Sequence, residues 1–547
     1  MYVTSEKNER LQKILIGFFI YLGVQYIIWY IFSPPINISS AEFCWRFGIS
    51  TAVALIITIK DPDSTYSHVI RGIILALGAW LLLNSVTSCV RDSSPDEVQS
   101  QIAQIQENEN ISDVVPIICS TSDFPTIDEE KAISLGSQIV LSNPKYSHLY
   151  TKNLEFDLIS YNGDYYWIAP LECSYKLGEG LSAYILINVY SGESILVELR
   201  ESEYIKYSPA GYLADDLVRH IHNKKPTSIL GKEHFELDEN GHPFYIVPTL
   251  KTNDFLFGAD SINTVLIVDA VTGQIKEYSI SDIPDWVDNV YDVERIMTEI
   301  KWNFDYKYPY GSDVPTTKYA HSNQYFKFPK DGQIYVYTGV TTWNADEYNI
   351  AFFITNLRTG KSTYCSDYGI GEQWAKELAL AAKPENQYEA SQVMLVNIEG
   401  NSVYYMTLKN HMGLVEHYAL VNKANDVLVV EDSLEDMLRV YYHKISMQYP
   451  GAMEYEVPES TEPTSTENVS EASSDEKTIT STVSKIYTGT LDGNTVFLFN
   501  FIGNDEFFTS SLGNNVEQLA RLVIGAKVTN TYKIIDGANV VTSIKFE

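Results

Sequence analysis

Cysteine is scarce, with five residues in a chain of 547: Cys44, Cys89, Cys119, Cys173 and Cys365. No two form a C-x-x-C pair, which excludes a disulfide framework and a zinc ribbon. A single bridge among Cys119, Cys173 and Cys365 is left open. Positive charge is also short: 39 basic residues stand against 71 acidic ones, for a formal net charge of −32. A phosphate-binding partner needs a basic face, so nucleic acid is excluded. Lying flat on anionic lipid is disfavoured for the same reason. The acidity reads as a solubility feature before it reads as a site for a specific cation. Nucleophile elbow, Walker loop and dinucleotide fingerprint are all missing.

The residues left over for chemistry are few. His220 and His222 stand two apart on an expected helix, where i and i+2 face different ways and chelate poorly. His411 and His417 flank a short apolar stretch without the H-E-x-x-H arrangement of a metalloprotease. Glu372, Glu377 and the other acids are scattered and read as solvated faces, although paired glycosidase carboxylates converge only in three dimensions. Cys365 has no local mark of an activated thiolate. Trp286, in Ile283-Pro284-Asp285-Trp286-Val287-Asp288, reads as a cap on the apolar end of the following helix rather than a partner anchor. No catalytic, cofactor-binding or metal residue is assigned, and no cofactor is expected.

Three long apolar runs stand at the start. Ile14 to Phe32 is uncharged, Phe47 to Ile59 is shorter with Arg46 at its edge, and Gly72 to Val90 is uncharged. Their lengths predict three transmembrane helices. Lys7, Arg10 and Lys13 precede the first run, and Lys60 and Arg71 bracket the loop before the third. The positive-inside rule then puts the N-terminus in the cytoplasm and everything after about residue 90 outside. A cleaved signal peptide fits less well, because two more runs follow. Val86-Thr87-Ser88-Cys89 reads as a helix end rather than a lipoprotein box.

The bulk of the chain repeats a hairpin. TVLIVDAVTGQIKEYSI, from Thr264 to Ile280, turns at Asp269-Ala270-Val271-Thr272-Gly273. The same Asn/Asp-x-x-Ser/Thr-Gly spacing occurs at Asn188 to Gly192 and Asn356 to Gly360, with a worn copy at Asn422 to Asp426. Upstream of each lies a second Gly turn: Asn162-Gly163, Asn240-Gly241, Asp331-Gly332 and Glu399-Gly400. Asn-Gly and Asp-Gly steps supply the positive φ of a tight hairpin. Each unit therefore reads as a four-stranded antiparallel meander, recurring roughly every 70 to 90 residues. A helical stretch follows each one: Leu213 to His222, Val290 to Phe304, Glu372 to Lys383 and Ser433 to Ile445. Another is expected from Asp128. A helix laid across each sheet predicts tandem α+β modules. Propeller blades use such turns too, but four copies separated by helices fit a propeller poorly.

This arrangement resembles PepSY-type or cystatin-like modules. The strings IKYSPAGYLADDLVRHI, DIPDWVDNVY and YVYTGVTTW, with MTLKNHMGLVEHYALVN, further resemble an uncharacterised family of membrane-anchored extracytoplasmic proteins of Gram-positive bacteria, from about Phe124 to His443. That resemblance implies topology and repeat register and adds no chemistry.

Met453 to Ser484 is rich in Glu, Ser, Thr and Pro and reads as a disordered tether. After it, three strand-like runs, a helix at Val516 to Ile524 and two more runs follow the order of a small OB-like β-barrel. The expected organisation is thus a membrane domain over 1–90, a stalk over 91–123, about four α+β repeats over 124–448, a linker over 449–484 and a barrel over 485–547. The expected function is a membrane-anchored extracytoplasmic scaffold of the cell envelope without catalytic activity. Its partners would be the lipid bilayer and an envelope protein or the wall. The alternative is an extracytoplasmic hydrolase acting on wall or peptide.

Overall fold

The computed structural model describes residues 12, 19, 21–58, 72, 75–83, 106–107, 114–143, 145–146, 154–172, 180–252, 260–306, 319–322, 324–342, 345–384, 387–411, 413–424, 427–448, 477–491, 494–501, 504–511, 518–519, 522, 526–535 and 538–546. The expected stalk, most of the tether and Cys89 and Cys173 fall largely or wholly outside these residues.

Four antiparallel meanders form four blade-like sheets. Blade 1 comprises Asp157–Tyr161, Asp164–Pro170, Ala183–Asn188 and Ser194–Glu198. Blade 2 comprises His234–Leu237, Pro243–Thr252, Asp260–Asp269 and Ile275–Tyr278. Blade 3 comprises Phe326–Lys330, Gln333–Thr342, Ala345–Asn356 and Ser362–Ile370. Blade 4 comprises Met394–Ile398, Asn401–Lys409, Val415–Asn422 and Leu428–Glu431. Short extra strands pair with the second strands of blades 2, 3 and 4, and Gln106–Glu107 lies parallel to the last strand of blade 3.

Local chemistry sets both turns. In blades 1, 3 and 4 the first turn has two residues, closed by the pairs Tyr161↔Asp164, Lys330↔Gln333 and Ile398↔Asn401. Both central residues have positive φ, for example 54° at Asn162 and 85° at Gly163, the geometry whose twist matches the flanking strands. In the second turn the Asn or Asp side chain replaces missing backbone partners. Asp269 Oδ1 accepts from the N–H groups of Val271 and Thr272 at 2.9 Å each. Asn188 does the same for Tyr190 and Ser191, and Asn356 for Arg358 and Thr359. These are Asx turns, and they give the repeated motif its physical reason.

A further bond repeats with them. The residue after the Asn or Asp turns its carbonyl outward to an incoming segment. Val189 O accepts from Thr126 and Ile127, Ala270 O from Lys206 and Tyr207, Leu357 O from Val290 and Tyr291, and Lys423 O from Ile370. Each segment arrives just before the helix that leads into the same blade. The helices are Glu129–Ser142, Leu217–Lys224, Val293–Tyr306 and Glu372–Ala381. The repeat is therefore latch, helix, meander. The helices precede their sheets, where the sequence reading set them after. The fifth helix, Leu434–Gln448, covers the last blade.

The expected α+β class is overturned. Among the described residues strand outweighs helix, and the blades pack in a propeller-like arrangement. Ile159, Ile168 and Leu186 of blade 1 meet Phe235, Tyr245 and Leu266 of blade 2. The opposite face of blade 1, with Leu158, Trp167 and Ile185, meets Val336, Ala351 and Phe353 of blade 3. The other face of blade 3 meets blade 4. The packing order is thus 2–1–3–4. Sheets that bury both faces against one another need no helical layer, so the helices fill the seams. This also explains continuous apolar strands such as Ala183–Asn188, buried at every position.

The expected transmembrane helices are overturned as well: among the described residues no helix is long and apolar enough to cross a membrane. Ala41–Thr58 has 18 residues, but Glu42 and Arg46 pair within its first turns at 2.9 Å. That leaves Phe47–Thr58 as the apolar part, about 18 Å of helix against the roughly 30 Å of a hydrocarbon core. Polar bonds join it to the helical residues 21–32: Tyr21 to Thr51 at 2.7 Å and Gln25 to Ser50 at 2.8 Å. The chain after it docks on blade 2's helix, where Arg219 donates to Tyr30 O at 2.7 Å and His222 bonds Ser33 O. The remaining parts of the three apolar runs lie outside the described residues.

At the far end five strands close into a barrel: Lys477–Leu491, Asn494–Phe501, Asn504–Ser511, Lys527–Ile535 and Ala538–Phe546. Its first strand begins inside the stretch read as tether.

Candidate binding cavity where three units meet

The first strands of blades 1 and 2 carry polar residues beside buried apolar ones. Asp157, His234 and Glu236 are among them, in FDLIS and HFEL. Burying such groups is costly without partners, and the structure supplies most of them. Asp157 accepts from His234 Nδ1 at 2.7 Å and from Phe235 N at 2.8 Å. Burial by itself raises the Asp157 pKa; the charge and hydrogen bond of His234, the charge of Lys327 and the Phe235 amide outweigh it and hold the carboxyl below its usual range. An acceptor-only carboxylate facing Nδ1 fixes a proton on that nitrogen. His234 is 6% exposed, and Nε2 is buried with no partner in the protein.

Behind this pair a second polar seam holds the latch segment of blade 3. Glu236 accepts from the N–H groups of Asp288 at 2.9 Å and Asn289 at 2.6 Å, and from Asn289 Nδ2 at 3.0 Å. Asn289 Nδ2 also donates to Leu158 O, and Asp288 accepts from Ser160 N, both on blade 1. Burial, then the nearby Asp288 charge, pushes the Glu236 carboxyl well up. Burial pushes Asp288 up to about 7, against the Ser160 amide and the charge of Arg358.

In front of the pair lies a cavity of about 510 Å³, in the size range of small-molecule sites. Its wall comes from the first turn of helix Glu129–Ser142, the entry to blade 1, the entry to blade 2, the latch and helix before blade 3, and Tyr325 and Lys327 of blade 3. Six carboxylates line it, on Glu129, Glu155, Asp157, Glu233, Asp292 and Glu294, against the ammoniums of Lys232 and Lys327. Lys327 stands 3.6 Å from Glu129 and Lys232 4.0 Å from Glu155. Burial raises the Glu233 pKa, with its own amide and His234 opposing. No Ser, Thr or Cys is on this wall among the described residues.

The residues singled out in the sequence lie elsewhere. His220 bonds Gly273 O at 2.7 Å and rests on Tyr207, while buried His222 bonds Ser33 O and Ser228 O. His417 sits between Asp432 at 2.7 Å and Tyr388 at 3.1 Å, and His411 is exposed in the preceding loop. Glu372 is buried, not solvated, and accepts from Tyr337 at 2.7 Å; Glu377 is exposed on the same helix. Cys365 is a buried free thiol that burial pushes up to about 11. Cys119 is free and exposed. Trp286 packs at 5.1 Å from Phe244 on the outer face of blade 2, not on a helix end. Asp157 and His234 lie too far apart in sequence to be paired by spacing. Strand alternation with Phe156, Leu158, Phe235 and Leu237 assigns Asp157, His234 and Glu236 to the solvent side, so no sequence signal marks their burial.

No family model matches the chain, and no curated protein matches it. Among solved structures the chain matches a crystal structure of an ACO/RPE65 chimera at 12% identity, over 52% of this chain and 51% of that one, with a TM-score of 0.13. A likeness that slight bears on neither fold nor activity.

Proposed function

We propose that the chain is a non-catalytic interaction scaffold in which the latched blades hold the junction cavity as a binding site. One observation carries the reading: three successive units close around a single cavity whose wall offers charge but, among the described residues, no Ser, Thr or Cys nucleophile.

The Asp157–His234 pair favours a second reading, since a histidine oriented by a carboxylate is the general base of many hydrolases. One experiment separates the two. Ester, peptide and glycoside substrates are offered to the purified full chain and to the His234→Gln variant. The scaffold reading expects no turnover that depends on His234, and expects compounds that raise the melting temperature to lose that effect when Met297→Trp fills the cavity. Turnover abolished by His234→Gln would establish the hydrolase instead.

A further inference from the structure

We propose that the helical cap near the start of the chain, residues 21–32, Ala41–Thr58 and 75–83, docks on the surface of a zwitterionic lipid bilayer, at the boundary of headgroups and acyl chains. No described helix is long and apolar enough to cross a bilayer, so the contact is with its surface. The sorting of side chains carries the proposal. Between the helices lie polar and small residues. Gln25, 7% exposed, bonds Ser50, and Thr51, 1% exposed, bonds Tyr21. A Cβ on Gly48 would stand 3.6 Å from Leu81 and Leu82, and one on Gly78 3.8 Å from Thr51. Facing outward, Val24, Ile27, Ile31, Ile49, Leu75 and Leu83 are each between 45% and 61% exposed. Water asks for the reverse, with apolar groups inside and polar ones out. Small and polar residues between helices, with large apolar ones outward, is the sorting that hydrocarbon surroundings favour. A protein partner would call for a polar rim, yet over 21–58 and 75–83 the charged residues are Glu42 and Arg46, paired with each other.

That pair marks the end of the cap nearest the blades. The Arg46 guanidinium lies 4.0 Å over the Phe32 ring, and Arg219 of blade 2's helix donates to Tyr30 O and Ile31 O. Tyr30 and Trp45 stand at this end too, where amphipathic rings meet headgroups. The apolar surface continues onto blade 2's side. Leu213, whose carbonyl also accepts from Arg219, is 48% exposed beside Tyr212 at 57%. Its φ of 52° is left-handed, and strain of that kind in a bulky residue is kept where function needs the side chain placed. A net charge of −32 then selects the lipid: anionic headgroups repel the chain, and zwitterionic ones do not.

The test is flotation of the purified full chain with phosphatidylcholine vesicles, with vesicles that also contain phosphatidylglycerol, and without lipid. The chain should rise with phosphatidylcholine, and less with the mixed vesicles at low salt. Ile27→Glu together with Ile31→Glu should cut the floated fraction about tenfold or more. Both positions are more than half exposed, so circular dichroism should be unchanged. Leu213→Ser, outside the cap, should cut flotation roughly threefold, and decides the matter if the double variant fails to fold. Tyr368→Glu, at a position 73% exposed on blade 3, should float like the wild type. Failure of the wild type to float with either vesicle overturns the proposal, as does flotation that requires phosphatidylglycerol. Equal flotation of the wild type and the cap variants places the lipid elsewhere and overturns it too. A dimer in light scattering that the double variant dissolves, without flotation, would give the face to a second copy of the chain. Each of these outcomes leaves the reading of the junction cavity as it stands.

Discussion

The joints of blades 3 and 4 solve one problem in two ways. At both, a segment arriving from the preceding blade must bring its N–H groups against a turn carbonyl, which needs close backbone approach. In blade 3 the glycine is on the turn: Gly360, at φ 68°, lies under the Tyr291 ring, and a Cβ there would overlap it. Blade 2 repeats this, with Tyr207 over Gly273 and ring atoms 2.5 Å from a Cβ. In blade 4 the glycine is on the arriving strand instead. A Cβ on Gly369 would overlap the carbonyl of Lys423, and the latch residue is Ile370. The worn motif at Asn422 to Asp426 is thus not a decayed copy. With no aromatic ring arriving, the joint's requirement for glycine has moved to the other chain segment.

That difference is breakable. Gly360→Ala should cost about 3 kcal/mol, combining left-handed strain with overpacking against the ring. Placed in a Tyr291→Ala background, the same change should cost only the strain, about 1 kcal/mol. Urea midpoints of the four proteins give the coupling directly. Gly369→Ala should cost a similar amount, but deleting the Ile370 side chain should not relieve it, because the obstacle there is backbone. Additive costs at Gly360 and Tyr291 would remove the ring from the account.

The turns were legible because their chemistry is local. Asp269 and Asn356 bond amides two and three residues on, and Gly273 and Gly360 take the φ their spacing implied. The phase of the helices was not legible. Whether Val293–Tyr306 belongs to the sheet before or after it is decided by the bond from Tyr291 to Leu357, 66 residues ahead. Blade stacking was missed because a helix with one apolar face suits a helix-on-sheet layer as well as a seam between sheets. The apolar runs near the start matched a membrane by composition alone, and the Glu42–Arg46 pair and the Gln25–Ser50 bridge lie outside what hydropathy weighs. The cavity was invisible: its carboxylates come from strands, a latch and two helices that meet only in the fold.

Joint 3 differs from joint 4 in charge as well. Its latch follows Asp288, which shares buried space with Glu236, whereas Lys423 of joint 4 pairs with Asp367 at 2.8 Å. Carboxyls raised in the folded state bind more protons there than when unfolded, so their contribution falls as pH rises from about 4. For Asp288 the fall ends near its folded value of about 7. We expect the full chain to lose on the order of 2 kcal/mol between pH 5 and 8 from this seam. Asp288→Asn keeps an acceptor for the Ser160 amide and should flatten that slope. Asp157 runs the other way: its contribution is present above the ordinary carboxylate range and is lost as pH falls through its depressed value. An Asp288→Asn slope equal to the wild type's would mean that Asp288 does not carry the titration of the seam.

The smallest effect tests the caps themselves. Asn356 and Asn422 are equally buried, at 5% and 4% exposure. Asn356 Oδ1 accepts from Arg358 N at 3.0 Å, Thr359 N at 2.9 Å and Thr359 Oγ1 at 3.1 Å. Asn422 Oδ1 accepts from Ala424 N at 2.9 Å. Both turns nonetheless close with the same register, Asn356 N to Lys361 O and Asn422 N to Val427 O. If side-chain bonds set the worth of the cap, Asn356→Ala should cost about 2 kcal/mol, and Asn422→Ala less, since its turn carries Asn425 where the other has the Thr359 hydroxyl. Asn356→Asp retains the accepting oxygen, as Asp269 does in blade 2, and should cost less than the alanine change. Equal losses from the two alanine variants, read from the same urea midpoints, would show that burial and not bond number governs the turn. The glycine exchange and the change of charge would then be what separates joint 4 from joint 3.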